Sequence, residues 1–165
     1  MNELNQSIKY NLLNVQRIPT ETRIVDLSDL GIIQLTGEDT LTFLQGQLSC
    51  DVRKSTPTQA QHGCYCSPKG RILANFIIST DHTGVAWYMQ MPRVILDKII
   101  KRLSMYVLRA KVKLTDYSAQ STRLGIVGNQ ARSLIEKSLP TLVLPNSILS
   151  VAHADGVIVI CLGPN

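Results

Sequence analysis

The sequence predicts an α+β fold in which antiparallel sheets are flanked by helices. Three observations support this fold class: short apolar runs alternate with polar residues as in strands, amphipathic helix patterns separate the groups of strands, and one strand–glycine–helix pattern occurs twice. The chain of 165 residues is long enough to bury one sizeable core. We therefore expect two related units of the order strand–strand–helix–strands–helix, of which the second is incomplete.

The first unit is predicted to cover residues 21–106, after a polar lead at residues 1–20. The lead is rich in Asn and Gln and is predicted to contain one short helix at residues 8–15. Within the unit, apolar alternation and turn residues predict strands at 24–27, 31–36, 61–66, 71–80 and 85–91, and helices at 38–48 and 92–105.

Glycine and proline mark the ends of the two helices in this unit. Gly37 suits the turn before the first helix, and the acidic residues after it suit the positive end of the helix. Gly46 is expected to let another segment approach that helix closely. Pro92 is expected in the first turn of the longest helix, and Asp97 is expected to face Lys101 one turn later.

The second unit is predicted to cover residues 107–165. The residues before Gly128, Leu124–Val127, resemble those before Gly37, and a helix pattern follows each glycine. The remaining patterns predict strands at 107–116, 123–127, 148–152 and 157–162, and a helix at 129–139. Since no helix pattern follows the last hairpin, we expect a fragment of a longer protein; the alternative is that the repeat is a chance similarity.

Composition describes a soluble globular protein with reduced cysteines, which we expect in the cytoplasm. Hydrophobic residues make up 44% and charged residues 18%, and the longest apolar run, near residues 72–78, is far too short to cross a bilayer. The net charge of +5 allows an anionic partner such as polyglutamylated folate, phosphate or RNA, but it is also common in ordinary proteins. Because the chain lacks an RNA-binding signature, we do not expect direct nucleic-acid binding.

Four short motifs follow one another between residues 35 and 71. They are Leu-Thr-Gly-Glu-Asp at 35–39, Phe-Leu-Gln-Gly-Gln at 43–47, Asp-Val at 51–52 and Pro-Lys-Gly-Arg at 68–71. Their order and spacing resemble the amino-terminal part of YgfZ-type proteins, which belong to the folate-binding superfamily of the glycine-cleavage T protein, an aminomethyltransferase. The family signature Lys-Gly-Cys-Tyr-x-Gly-Gln-Glu does not occur in this chain.

The resemblance implies a pocket for reduced folate, tetrahydrofolate, and assigns positions in it. An aspartate pair of the T protein falls on Ala74 and Asn75, neither of which can stabilise charge that develops on an amine. This departure argues against aminomethyl transfer, although Asn75 can hydrogen-bond a pterin amide edge; alternatively, Asn75 is a polar residue on the outer face of its strand. Leu30 occupies the place of an aromatic folate contact, or it is an ordinary core residue.

Further candidates follow from residue types. Gln45 and Gln47 can read the edge of a heterocycle, or they are solvated residues near a helix end. Lys69 and Arg71 lie in a tight turn beside a buried strand, where they can hold an anion or simply face solvent.

A metal site is not expected. Alternation along a strand brings His62, Cys64 and Cys66 to one face, but zinc and iron–sulfur sites favour Cys-x-x-Cys spacing with a second ligand pair elsewhere. The chain also shows no Ser-His-Asp arrangement, P-loop or dinucleotide fingerprint, so no catalytic residue is assigned.

The resemblance implies a tetrahydrofolate-binding accessory protein that supports iron–sulfur cluster assembly or repair and tRNA modification. Its partners would be reduced folate and iron–sulfur assembly proteins or cluster-dependent enzymes. Two alternatives stay open: a folate-dependent aminomethyl- or methyltransferase-like enzyme, and a non-catalytic RNA or protein adaptor that uses the basic helix at 92–105. Pattern and spacing alone establish only a soluble α+β domain.

Overall fold

The structure, a computed structural model, describes residues 21–154 and 156–163. These residues contain nine strands and three α-helices, and every pair of strands in them is antiparallel. The strands are β1 (Arg23–Asp26), β2 (Leu30–Thr36), β3 (Gln61–Cys66), β4 (Ile72–Thr80), β5 (Trp87–Pro92), β6 (Lys113–Asp116), β7 (Leu124–Val127), β8 (Val151–Ala154) and β9 (Val157–Ile160). The helices are α1 (Thr40–Gln47), α2 (Arg93–Ser104) and α3 (Ala131–Ser138). The helix predicted at residues 8–15 lies outside the described residues.

The core lies between a five-stranded sheet and the helices α1 and α2. The sheet has the strand order β3–β4–β5–β2–β6, and one face of it is buried in a single apolar cluster. Alternate residues of the central strands point into this cluster, as period-two alternation predicts. Burying each large aliphatic side chain contributes about 1.5–3 kcal/mol, so this cluster dominates the stability of the fold. Its largest buried members are Ile33, Leu35, Leu44, Ile78, Met89, Met91, Leu96 and Leu103.

Helix α1 begins directly after a glycine turn that a side-chain hydrogen bond closes. Gly37 has a φ of 127°, and the Thr40 hydroxyl donates a hydrogen bond to the Gly37 carbonyl oxygen at 2.8 Å. Phe43 and Leu44 then enter the core. The expectation for Gly46 was wrong, because a Cβ added there would meet nothing within 4 Å.

Helix α2 packs one apolar stripe on the sheet. Leu96, Ile99 and Leu103 are buried, whereas Val94 on the opposite side is 84% exposed. The helix begins at residue 93, because the preceding proline is the last residue of β5 rather than the first of the helix. Asp97 and Lys101 lie one turn apart on α2, as predicted, although none of the ion pairs among the described residues joins their side chains.

The strand predicted at residues 107–116 is present only at its end, as β6. Before it the chain turns: the N–H groups of Tyr106 and Ala110 each bond to a carbonyl three residues earlier. Leu108 has a φ of 45°, a left-handed conformation that a regular strand does not contain. No Gly, Pro or Asn occurs in this segment, so the sequence carried no turn signal.

The two units exchange their first strands. β1 of the first unit pairs with β7 of the second, and β6 of the second unit pairs with β2 of the first. The registers match: Arg23 lies opposite Val127 in one pair, and Lys113 lies opposite Thr36 in the other. Each pair therefore holds the start of one unit against the other unit, and the predicted repeat is present in the structure.

Equivalent residues close the turns after the exchanged strands. The Asp26 carboxylate accepts the backbone N–H of Ser28 at 2.9 Å, and Asp116 accepts that of Ser118 at the same distance. The described part of the second unit continues with α3, β8 and β9, where the first unit has α1, three strands and α2. This agrees with the predicted incomplete second unit, whereas the boundaries at residues 21–106 and 107–165 stay predictions.

The second unit is less well packed than the first. Its helix α3 has an amphipathic sequence but buries none of its side chains, and the ribbon of β1 and β7 leaves apolar residues exposed. In the part of the chain that the structure describes, no helix combines the length and the apolar character needed to cross a bilayer.

Candidate functional site

The five-stranded sheet has a second face that neither α1 nor α2 covers, which we call the outer face. Its residues alternate with the core residues along β2, β4 and β5, and all of them except Ser79, which is 5% exposed, are half-buried or exposed. Ile32, Ile77 and Gln90 lie in one row across these strands and form its centre. The outer face therefore presents two isoleucines on either side of a glutamine, with further polar groups around them. Its members on these strands are Leu30, Ile32, Gln34, Asn75, Ile77, Tyr88 and Gln90.

Two aromatic rings meet on the outer face. The ring centroids of Tyr88 and Tyr117 lie 5.7 Å apart with an interplanar angle of 48°. The Gln34 amide nitrogen lies 3.4 Å from the Tyr88 hydroxyl oxygen, to which it donates a long hydrogen bond. Tyr117 is held in place because its N–H donates to the Ile32 carbonyl at 2.9 Å. The cluster combines ring faces, hydroxyl groups and one amide in a half-buried position.

The structure separates the two residues that fall on the aspartate pair of the T protein. Ala74 points into the core and is 3% exposed, whereas Asn75 lies on the outer face. The Asn75 amide oxygen accepts a hydrogen bond from the Cys64 thiol, with Sγ 3.2 Å from Oδ1. The outer face thus receives a neutral amide from these two positions and no carboxylate.

Leu30 lies on the same outer face as Asn75, at the start of β2. It is half-buried and lies opposite Pro92 in the β2–β5 pair. The turn before it is closed by its N–H, which donates to the Leu27 carbonyl at 3.0 Å. Two of the six predicted site residues are therefore on one surface.

The other four predicted residues lie elsewhere. Gln45 belongs to α1 on the helix side of the sheet, where its amide oxygen accepts the Val52 N–H at 2.9 Å. Gln47 lies at the end of α1 and lines a small concavity together with Ser67 and Pro68. Lys69 and Arg71 are exposed in the turn between β3 and β4. The structure does not bring these four residues onto the outer face, and their folate-binding role stays a prediction.

Sequence reasoning missed Gln34, Tyr88 and Tyr117. A signal for Tyr88 was available, because Trp87, Met89 and Met91 alternate as core residues and leave Tyr88 on the opposite face. Nothing in the sequence placed Tyr117 beside it, since their contact depends on the pairing of β6 with β2 across the two units.

The cysteines and histidines do not assemble a metal site in the described part of the chain. No group of three or more His, Cys, Asp or Glu side chains there is placed to hold an ion. Cys64 instead contacts Asn75, and burial is the main cause of a raised pKa at Cys50. Tyr65 lies in the core and is 3% exposed, and burial raises the pKa of its hydroxyl.

Comparison with known proteins identifies the family of this chain. Residues 6–156 match the family described as the GCVT N-terminal domain. A tRNA-modifying protein YgfZ from Hamiltonella defensa is 31% identical over 132 residues, which cover 80% of this chain and 38% of that protein. The YgfZ protein of Vibrio vulnificus strain YJ016 is also 31% identical, over 80% of this chain and 40% of that protein. The chain thus spans about two-fifths of the length of these relatives.

A solved structure shows the same fold. The glycine cleavage system aminomethyltransferase T from Bartonella henselae superposes with a TM-score of 0.70 at 14% sequence identity. The match covers 81% of this chain and 36% of that enzyme. The α+β fold class with paired units is confirmed, as is the resemblance to YgfZ-type proteins and the T protein. The chain belongs to the GCVT N-terminal domain family.

Proposed function

We propose that the outer face of the five-stranded sheet forms one wall of a binding site for reduced folate. The observation that carries this proposal is the half-buried cluster of Tyr88, Tyr117 and Gln34, which offers ring faces and an amide side by side. A pterin ring is flat and edged with hydrogen-bonding groups, so ring contact combined with amide hydrogen bonds suits its recognition. Membership in the GCVT N-terminal domain family supports the same ligand class.

Several residues on the outer face have side chains whose chemistry suits contact with a pterin. Tyr88 and Tyr117 would contact the ring system, and Ile32 and Ile77 would replace water beneath it. Asn75 can donate from its amide nitrogen while its oxygen stays on Cys64. A bound reduced folate would supply the capacity to carry a one-carbon unit, whereas this chain would supply orientation and shelter from water.

The same positions give no support to aminomethyl transfer by this chain. Transfer at the folate nitrogen calls for a carboxylate that stabilises charge developing on an amine. Ala74 is buried in the core, and Asn75 is neutral at every pH. Binding without transfer at this position is therefore the function that we propose.

We further propose that the whole protein supports tRNA modification in the cytoplasm. The relatives that share 29–31% identity with this chain are named tRNA-modifying proteins, which supports this role. The finer step, assistance in assembling or repairing the iron–sulfur clusters of modifying enzymes, is supported by the motifs at residues 35–71 alone.

Isothermal titration calorimetry tests folate binding. Tetrahydrofolate is titrated into the full-length protein under anaerobic conditions, and the heat of binding is measured. We expect saturable binding that Tyr88→Ala and Asn75→Ala each weaken at least about tenfold. Tyr106→Ala is the matched control, because Tyr106 is exposed on the helix side of the sheet. Absence of binding heat, or equal weakening by Tyr106→Ala, would reject the proposed site.

A further inference from the structure

The helix side of the sheet carries an open groove that folate binding to the outer face does not use. The groove lies between α2 and the start of β4 and has a volume of about 450 Å³. Its floor is aliphatic and is formed by Leu73, Ile95, Ile99 and Met105, of which Met105 is 63% exposed. An exposed methionine beside aliphatic residues adapts to different apolar side chains.

A β-bulge creates the floor of this groove. The pairing of β3 with β4 shifts after Tyr65, so that Cys66 pairs with Ile72 and Leu73 is left out of the register. A bulge turns the extra residue out of the ordinary alternation. Leu73 accordingly packs against the core cluster beneath α2, instead of following Asn75 onto the outer face.

Three cations surround the apolar floor. Lys98 and Lys101 are exposed on α2, and Arg102 follows them on the same side of the helix. None of the ion pairs among the described residues includes any of these three side chains. We call the surface formed by these cations and the aliphatic floor the cationic groove.

Arg102 also lines a neighbouring concavity of about 180 Å³, with Gln47, Tyr65 and Tyr106 among its walls. Its Nε atom is buried and has no hydrogen-bond partner in the described part of the chain. A buried guanidinium N–H without an acceptor is unfavourable, and a carboxylate is the acceptor that a guanidinium binds best. Arg102 thus lines both depressions, and its half-buried guanidinium places a positive charge between them.

We propose that the cationic groove docks an acidic segment of a partner protein that also carries apolar side chains. The aliphatic floor would receive the apolar side chains, and Arg102 with the two lysines would bind the carboxylates. Single-stranded RNA fits this surface less well, because successive bases need several rings to stack on. The groove itself has no aromatic ring, and in the neighbouring concavity Tyr106 is exposed but Tyr65 is buried. The ligand is therefore an acidic, apolar peptide segment rather than a nucleic acid.

A phage-displayed library of short random peptides, selected on the full-length protein, tests this docking surface. We expect enrichment of peptides that combine Asp or Glu with Leu, Ile or Met. In fluorescence anisotropy, the most enriched peptide should bind the Lys98→Glu, Lys101→Glu double variant at least about tenfold more weakly than the wild type. Arg102→Gln should weaken binding similarly. Because Arg102 is half-buried, its substitution can disturb folding, whereas the two exposed lysines can be changed without that effect and therefore test the proposal independently.

The matched control is the Lys54→Glu, Lys137→Glu double variant, which makes the same change in net charge away from the groove. Its affinity for the enriched peptide should stay within about twofold of the wild type. Lack of enrichment, enrichment of basic peptides or equal weakening by the control pair would overturn the proposal. Binding of unfractionated tRNA that is lost in the Lys98, Lys101 variant and displaces the peptide would assign the groove to nucleic acid, which also overturns it.

Discussion

Two glycines in equivalent positions show how single residues constrain this fold. Gly37 and Gly128 precede α1 and α3 with φ angles of 127° and 120°. A Cβ atom at Gly37 would overlap the carbonyl group of Lys111, and one at Gly128 would overlap the backbone of Glu21. Each glycine therefore allows the start of the other unit to approach closely, in a conformation that other residues rarely adopt.

Substitution of Gly37 by alanine should lower the free energy of unfolding by about 1–3 kcal/mol, because both the backbone angle and the overlap with Lys111 oppose a side chain. Gly46→Ala is the matched control. It adds a methyl group within α1 where nothing lies within 4 Å, so stability should stay unchanged or rise by about 0.5–1 kcal/mol. Urea denaturation checks both values, and equal effects of the two substitutions would contradict this account.

Asp81 holds the hairpin between β4 and β5 through its carboxylate. It accepts hydrogen bonds from the Thr83 hydroxyl at 2.7 Å and from the Val85 and Ala86 N–H groups at 2.9 and 3.2 Å. Burial acts to raise the pKa of Asp81, but these hydrogen bonds outweigh burial and lower it. A depressed carboxyl pKa stabilises the folded state above the ordinary value and loses that effect as the pH falls through the depressed value.

Asp81→Asn should therefore destabilise the protein at neutral pH by about 0.5–1 kcal/mol, since an amide accepts weaker hydrogen bonds than a carboxylate. The difference should shrink below about pH 4, where the aspartate of the unfolded chain and then that of the folded chain take up a proton. Urea denaturation at neutral and acid pH measures it. A difference that stays constant with pH would show that the charge of Asp81 does not stabilise the hairpin.

At the scale of elements, the strand β6 depends on a turn that follows it. Ser118 is 4% exposed, its N–H donates to Asp116, and its hydroxyl oxygen accepts the Ile32 N–H at 3.0 Å. The same Ser118 side chain lies beside Gly31, where a Cβ would come within 3.2 Å of its oxygen. The turn thus fixes β6 along β2, and with it Tyr117 on the outer face.

Ser118→Ala should cost about 1–3 kcal/mol, because it leaves the Ile32 N–H buried without its acceptor. Ser104→Ala in the exposed last turn of α2 should be nearly neutral. Amide hydrogen exchange gives a local readout, and the Ile32 amide should lose protection in the first variant only. Unchanged protection of Ile32 would show that the Ser118 hydroxyl does not hold the two strands together.

Local sequence patterns predicted most elements because alternation and turn residues are local properties. The first-unit strands and both of its helices were confirmed within a few residues. The turn before β6 was not predicted. Leu108 adopts a left-handed conformation there, and the sequence contains no Gly or Asn at that turn to indicate it. The exchange of β1 and β6 between units was also missed, since strand pairing over a long sequence separation leaves no local signal.

Part of the candidate site could be predicted from the sequence. Strand alternation and the family resemblance together placed Leu30 and Asn75, which the structure shows on one face. The ring pair of Tyr88 and Tyr117 could not be predicted, because it forms between the two units. Gln45 was chosen for its residue type, yet its amide oxygen accepts a backbone N–H of this chain.

For the whole molecule, the exchanged strands imply that the two units unfold together. The chain has one tryptophan, Trp87, which is buried in the core of the first unit. Gly128 lies in the second unit and packs against the start of β1. Gly128→Ala should therefore lower the denaturation midpoint reported by Trp87 fluorescence as much as the midpoint reported by circular dichroism. A Trp87 midpoint that stays at the wild-type value would show that the units are independent.

We propose that reduced folate binds the outer face of the sheet rather than the helix side. Amide chemical shifts in ¹H–¹⁵N spectra of the protein, recorded during titration with tetrahydrofolate, test it most directly. The largest changes should occur at the amides of Gln34, Tyr88 and Gln90 on the outer face. Changes confined to Gln47 and the turn that carries Lys69 and Arg71, or no change at any amide, would contradict it.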